Sequence, residues 1–409
     1  MCLDSAWERN TRYRVDVWVR ANAVRFNIAF NNPFLESSCF RITHIRDHNI
    51  KLSWCIMQAA SFICITMVLL AARLTSSFVT RSHFTLPVVS VRSFASSKSS
   101  LKATTSSNVE ISIEQAKDLH GKDGVTFLDG SWWLPTTGKH GRTIYEQGPR
   151  IQGARFFDID DIASKELDLP HMMPSTKLFA ASMDALGITN DDQLIVYAQP
   201  GCPLVYRAWF QIYAMGHDLD KVSVLKGSLD DWAAAGGAVD KSARKEAFQT
   251  SELDLSQDPK YQASARSFVD LEKMKEIVEK DDFIVVDVRS ADRFMGQVEE
   301  PRPGLRLGHM PGAKNLPFNV LLDPANLVKL KSQSELEKLL DASNVDWRDE
   351  SKSIVTSCGS GASACVLAAA MVKCGRDPET IFIYDGSWAE WGSHPDTTIV
   401  KDETPAMDR

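Results

Sequence analysis

Short apolar runs recur along the last three quarters of the chain, each bounded by turn residues. Val125-Thr126-Phe127-Leu128-Asp129, Leu194-Ile195-Val196-Tyr197, Phe283-Ile284-Val285-Val286-Asp287 and Ser353-Ile354-Val355-Thr356-Ser357 have the length and β-branched content of buried strands. Between them, Thr176–Leu186 and Ser332–Leu340 read as helices, and Ala364 to Val372 is apolar enough to be a buried helix. Strands alternating with helices predict an α/β protein whose parallel sheets are covered by helices on both faces.

The pattern occurs twice. Val125 to Trp132 parallels Phe283 to Ser290, and Ile151-Gln152-Gly153-Ala154-Arg155-Phe156 parallels Met310-Pro311-Gly312-Ala313-Lys314-Asn315. Leu194 to Tyr197 parallels Ser353 to Ser357, and Val224 to Trp232 parallels Ile383 to Trp391. Four matches in one order, offset by about 158 residues, imply a duplicated domain. The expected organisation is an extension over 1–107, a first domain over 108–241, a polar linker over 242–265 and a second domain over 266–409.

Composition changes the picture at the N-terminus. Residues 1–94 hold 11 Lys+Arg against 5 Asp+Glu, and no acid occurs between Asp47 and Glu110. The apolar run Trp54 to Ala72 is followed by Arg73, Arg81 and Arg92 amid serines and threonines. Such composition predicts an organellar presequence, with Arg92-Ser93-Phe94-Ala95-Ser96 similar to a mitochondrial processing site. Residues 1–56 show no assignable pattern, so Met57 or Met67 is expected to be the physiological start. Plastid entry, secretory entry or membrane anchoring through 54–72, and a cytoplasmic product if translation starts downstream, are the alternatives. The remaining chain carries 35 basic and 48 acidic side chains, a balance that argues against nucleic acid as a partner. Eight cysteines without metal-ligand spacing suggest reduced thiols and no structural metal.

Candidate chemistry centres on Cys358, between a strand end and a helix start in Cys358-Gly359-Ser360-Gly361-Ala362-Ser363-Ala364. Unpaired amides and the helix dipole there favour a thiolate, and the glycines let the backbone approach the sulfur. A cysteine phosphatase would place an Arg six positions on; this chain has Ala364 and no cation in the loop. A persulfide chemistry fits better. The first copy has Ala198 where the second has Cys358, and the prolines around Cys202 interrupt any amide cradle.

The loop resembles the active-site loop of the rhodanese superfamily, and within it that of the 3-mercaptopyruvate sulfurtransferases, typically Cys-Gly-Ser-Gly-Val-Thr-Ala. Asp385-Gly386-Ser387-Trp388-Ala389-Glu390-Trp391 and Gly308-His309-Met310-Pro311-Gly312-Ala313 extend the resemblance, which covers about three quarters of the chain. It implies two tandem rhodanese-like domains, the second catalytic, and a reaction needing no metal or organic cofactor. Sulfur would pass from 3-mercaptopyruvate through a Cys358 persulfide to thioredoxin, another thiol or cyanide, releasing pyruvate. Arg293 and Arg302 match the family's donor-binding arginines, with Gly359, Gly361, Ala362 and Ser363 lining the loop. Ser360, His171 and Asp160 match a triad-like proton relay, which would govern the basic limb of the pH–rate profile. Arg289 is expected to brace the loop, and His309 and the Trp388/Trp391 pair to be structural. A thiosulfate:cyanide sulfurtransferase and a non-catalytic rhodanese docking module are the competing readings. The oligomeric state is not legible.

Overall fold

The computed structural model describes residues 109–242, 245–280 and 282–401. It also describes the backbone of two antiparallel strands, Arg12–Val19 and Val24–Asn31, in a separate unit, Met1–Lys98. The apolar run at 54–72, the candidate processing site at 92–96 and the candidate starts Met57 and Met67 lie outside the described residues.

The described body contains two five-stranded parallel sheets. The first is built from β1 (Glu110–Ile111), β2 (Val125–Asp129), β3 (Arg155–Phe156), β4 (Gln193–Ala198) and β5 (Val222–Ser228), in the order β1-β5-β4-β2-β3. The second is built from β6 (Phe268–Val269), β7 (Ile284–Asp287), β8 (Lys314–Asn315), β9 (Ile354–Ser357) and β10 (Ile381–Tyr384), in the order β6-β10-β9-β7-β8. The two permutations are the same, so the repeat seen in the sequence is a repeat of topology. Register agrees as well: Asp129 lies beside Tyr197, and Asp287 beside Ser357. Ala198 therefore holds in the first sheet the place of Cys358 in the second.

Each strand feeds both faces of its sheet because successive side chains alternate. Leu194, Val196 and Ala198 pack into the large central core, while Ile195 and Tyr197 pack into the outer layer with Trp232. In the second sheet Ile354 and Val286 face the central core, and Val355 and Val285 face outward with Trp388 and Trp391. Helices cover both faces: α1 (Thr176–Ala185), α2 (Tyr206–Ala214) and α3 (Leu229–Ala234) in the first domain, and α4 (Gln333–Ala342), α5 (Ala364–Lys373) and α6 (Ser387–Trp391) in the second. The helix α5 has a buried residue at every position from Ala364 to Val372 because it packs between its own sheet and α2. One apolar core thus runs through both domains, at about 1.5–3 kcal/mol for each large aliphatic or aromatic side chain removed from water.

The polar stretch after the first domain is tied down along its length. Lys260 and Tyr261 amides donate to Asp184, Gln262 and Asn190 exchange hydrogen bonds, and the Tyr261 hydroxyl meets His217 Nδ1 at 2.9 Å. In the second domain His309 accepts a stacked Phe294 ring and its Nδ1 lies 2.9 Å from the Phe294 carbonyl, a packing role.

Candidate active site

Cys358 follows directly on β9, and α5 begins six residues later. The intervening loop curls back so that the Ser360 amide donates to the Cys358 sulfur at 3.4 Å. Amides of Gly359, Gly361, Ala362 and Ser363 donate to no protein acceptor among the described residues, so the loop after Cys358, itself 2% exposed, holds N–H groups free to receive an anion. Such a cradle complements negative charge on sulfur without any cation in the loop. The cysteine backbone is itself held: its amide donates to Ser387 Oγ at 3.2 Å, and its carbonyl accepts from the Trp388 amide at 3.0 Å.

Gly361 sits at φ +77°, a left-handed conformation that glycine adopts without penalty. A Cβ there would lie 2.9 Å from the Asp385 carbonyl and 3.0 Å from Arg207 Nη1. Arg207, fully buried on α2 of the first domain, donates to the Gly361 carbonyl at 3.4 Å and pairs with Asp385 at 3.3 Å. The same guanidinium donates to the His171 carbonyl, and Asp385 accepts the Met173 amide at 2.7 Å. One guanidinium therefore joins the nucleophile loop of the second domain to the His171 loop of the first.

His171 itself has φ +57° and is 3% exposed. Its Nδ1 lies 2.5 Å from Asp160 Oδ1, close although off the ideal N–H direction, and Trp132 Nε1 donates to the other carboxylate oxygen at 2.5 Å. The Trp132 ring stands edge-on to the imidazole, with centroids 4.4 Å apart. Burial pushes the His171 pKa below the usual histidine range; Asp160 opposes that, and Arg207 and Arg302 add to it. For Asp160, burial alone would raise the carboxyl, but hydrogen bonds from His171 and Trp132 outweigh it and hold the pKa low. The result is a neutral imidazole beside a carboxylate, with Nε2 buried and without a protein partner. No hydrogen bond joins Ser360 Oγ to that nitrogen among the described residues.

The two candidate arginines differ. Arg293 donates to both oxygens of Glu300, at 3.2 and 2.6 Å, and its Nη2 lies 3.1 Å from where a Gly359 Cβ would stand. Arg302 makes no hydrogen bond or ion pair among the described residues. Its charge is felt by His171, and the charges of Cys358, Arg293, Asp160 and Glu300 are felt by it. Arg289 is fully buried between Asp287 and Glu300, at 2.6 and 2.8 Å, and lies over the Trp388 ring at 4.1 Å. It props up the residue whose amide holds the Cys358 carbonyl.

The other described thiols are in different settings. Cys202 exchanges contacts with the Trp132 backbone at 3.1 and 3.3 Å, and burial pushes its pKa up to about 12. Cys365 is fully buried and is raised to about 12 for the same reason. Sequence reasoning missed Arg207, Trp132, Asp385, Ser387 and the tie between Glu300 and Arg293. A signal existed for Arg207, the one charged residue in the apolar run Val205 to Met215, because a buried guanidinium needs partners.

Comparison with known proteins places this geometry. Residues 270–394 match the family described as rhodanese-like domain. "Thiosulfate/3-mercaptopyruvate sulfurtransferase 1, mitochondrial" of Arabidopsis thaliana is 36% identical over 285 residues, covering 66% of this chain and 73% of that protein. The chain belongs to the rhodanese superfamily, in its 3-mercaptopyruvate sulfurtransferase family. Human 3-mercaptopyruvate sulfurtransferase is 36% identical over 266 residues, 64% of this chain and 84% of its own. The Tum1 protein of Saccharomyces cerevisiae shares the fold at a TM-score of 0.60 and 30% identity, over 72% of this chain and 98% of that one. As a member of this family, the chain is a sulfurtransferase.

Proposed function

We propose that the chain moves the sulfur of 3-mercaptopyruvate through a Cys358 persulfide to a thiol acceptor such as thioredoxin, or to cyanide, releasing pyruvate. The observation that carries the donor assignment is the pairing of a cation-free amide cradle at Cys358 with an unpaired guanidinium, Arg302, in electrostatic reach of the sulfur. Arg302, assisted by Arg293, binds the donor carboxylate, and Gly359, Gly361, Ala362 and Ser363 present amides to the transferred sulfur.

The cysteine thiolate attacks the donor sulfur, and the carbon–sulfur pair leaves with carbon as the enolate of pyruvate. The proton from the transferred sulfhydryl then goes to the enolate carbon. The products are an anionic Cys358 persulfide and pyruvate, so charge and protons balance. Neutral His171, oriented by Asp160, takes and returns that proton through Ser360. The first domain, over 108–241, supplies the relay and no nucleophile, and 242–265 connects it to the catalytic domain at 266–409. The basic, acid-poor N-terminal segment and the mitochondrial name of the Arabidopsis relative support mitochondrial delivery.

The test is steady-state turnover with mercaptopyruvate and thiosulfate side by side. Thiosulfate leaves as sulfite and needs no proton, so Ser360→Ala and His171→Ala should slow mercaptopyruvate turnover by roughly 10²–10⁴ while sparing any thiosulfate activity. Equal loss with both donors would remove the relay from the mechanism.

A further inference from the structure

Glu300 has one carboxylate between two guanidiniums. Its side chain is 3% exposed, it accepts from Arg289 at 2.8 Å, and it takes the fork of Arg293 with both oxygens. Arg289 is already paired with Asp287 at 2.6 Å, so it does not need Glu300 for neutrality. Arg293 does, since it meets no other acid among the described residues. Arg289 is thus matched by Asp287 and Arg293 by Glu300, which leaves Arg302 as the guanidinium of this cluster without an ion pair among the described residues.

We propose that Glu300 is the residue that sets donor choice, by cancelling Arg293 and leaving charge for one carboxylate rather than for a dianion. The inference rests on the sulfurtransferase reading above and extends it. With Glu300 in place, a monoanion such as mercaptopyruvate meets the free fork of Arg302 and a guanidinium already half-used. A dianion such as thiosulfate brings a second negative charge, toward a cysteine that is itself anionic when it attacks, with no second unpaired guanidinium in this cluster among the described residues to receive it. Inside a cleft this buried, uncompensated charge is felt strongly, because solvent screens it poorly.

Glu300→Gln retains an acceptor for both arginines and removes the charge. In this variant the ratio of thiosulfate to mercaptopyruvate kcat/KM should rise about tenfold or more. Glu300→Asp, which retains the charge, should keep that ratio near the wild-type value. A binding measurement separates this idea from the reaction assignment: the concentration of sulfate or of pyruvate that protects Cys358 from iodoacetamide. In the unmodified protein pyruvate should protect at lower concentration than sulfate, and Glu300→Gln should improve sulfate protection about tenfold with little change for pyruvate. Sulfate protecting as well as pyruvate before substitution would overturn the proposal. So would a Gln variant in which both donors, or both anions, change by one common factor. Failure of the reaction assignment would show itself differently, as no turnover of either donor by the unmodified protein while the protection ratio holds.

Discussion

At the scale of single residues, the candidate site separates guanidiniums without a protein partner among the described residues from those held by carboxylates. Arg302 touches no protein acceptor among the described residues, whereas Arg293 is tied to Glu300. Arg302→Ala should therefore lower kcat/KM for mercaptopyruvate by roughly tenfold to a hundredfold, the loss of one charge-assisted contact of about 1.5–3 kcal/mol, with Tm unchanged. Arg293→Ala should lower Tm as well, because it strands part of a buried carboxylate. Equal thermal shifts in the two variants would contradict the distinction. His171 carries a second expectation. Its folded pKa lies below the ordinary 6.5 because burial disfavours the cation. Between the folded value and 6.5 the unfolded chain binds the proton and the folded chain does not. Its contribution to stability is therefore full above about 6.5 and is lost as pH falls toward the folded value. A neutral imidazole at rest also moves the expected signature from the basic limb of the rate profile to the acidic one. Mercaptopyruvate turnover should fall on the acid side with a midpoint below the ordinary histidine value, and His171→Gln should abolish that limb. A limb unchanged in the variant would assign it elsewhere.

At the scale of elements, α2 reaches across the domain boundary. Arg207 and Asp385 form a buried pair that also takes the carbonyls of Gly361 and His171 and the amide of Met173. Arg207→Met leaves Asp385 without its cation, a loss of about 3–5 kcal/mol in stability for a buried pair broken on one side. Denaturant unfolding would measure it, and a change below about 1 kcal/mol would show the pair to be solvent-screened. The strands and helices that carry these residues were legible from short continuous apolar runs and β-branched content, since both sheets are parallel and buried on both faces. The joints between them were not. Arg207 meets Gly361 across 154 positions of sequence, and no local pattern records which loop a buried guanidinium will find. The expected link from His171 to Ser360 is likewise a matter of side-chain placement, and the structure brings Asp160 to His171 without bonding Ser360 to it.

At the scale of the whole molecule, duplication divides labour. The same strand order places Ala198 in the first sheet where the second has Cys358, so the two copies share the fold and differ at the position proposed for the nucleophile. That copy contributes His171, Asp160, Trp132 and Arg207 to the cleft, and a common apolar core fixes the two halves against each other. The strand-end to helix-start setting of Cys358 was legible from sequence because it is local; the shared core, which depends on both domains together, left no comparable mark. The central claim is that sulfur rests on Cys358 between donor and acceptor. Intact-mass measurement of the protein after mercaptopyruvate treatment tests it most directly. One added sulfur should appear in the wild type and in Cys202→Ser, be absent from Cys358→Ser, and disappear on addition of cyanide. An added sulfur that persists in Cys358→Ser would contradict the account.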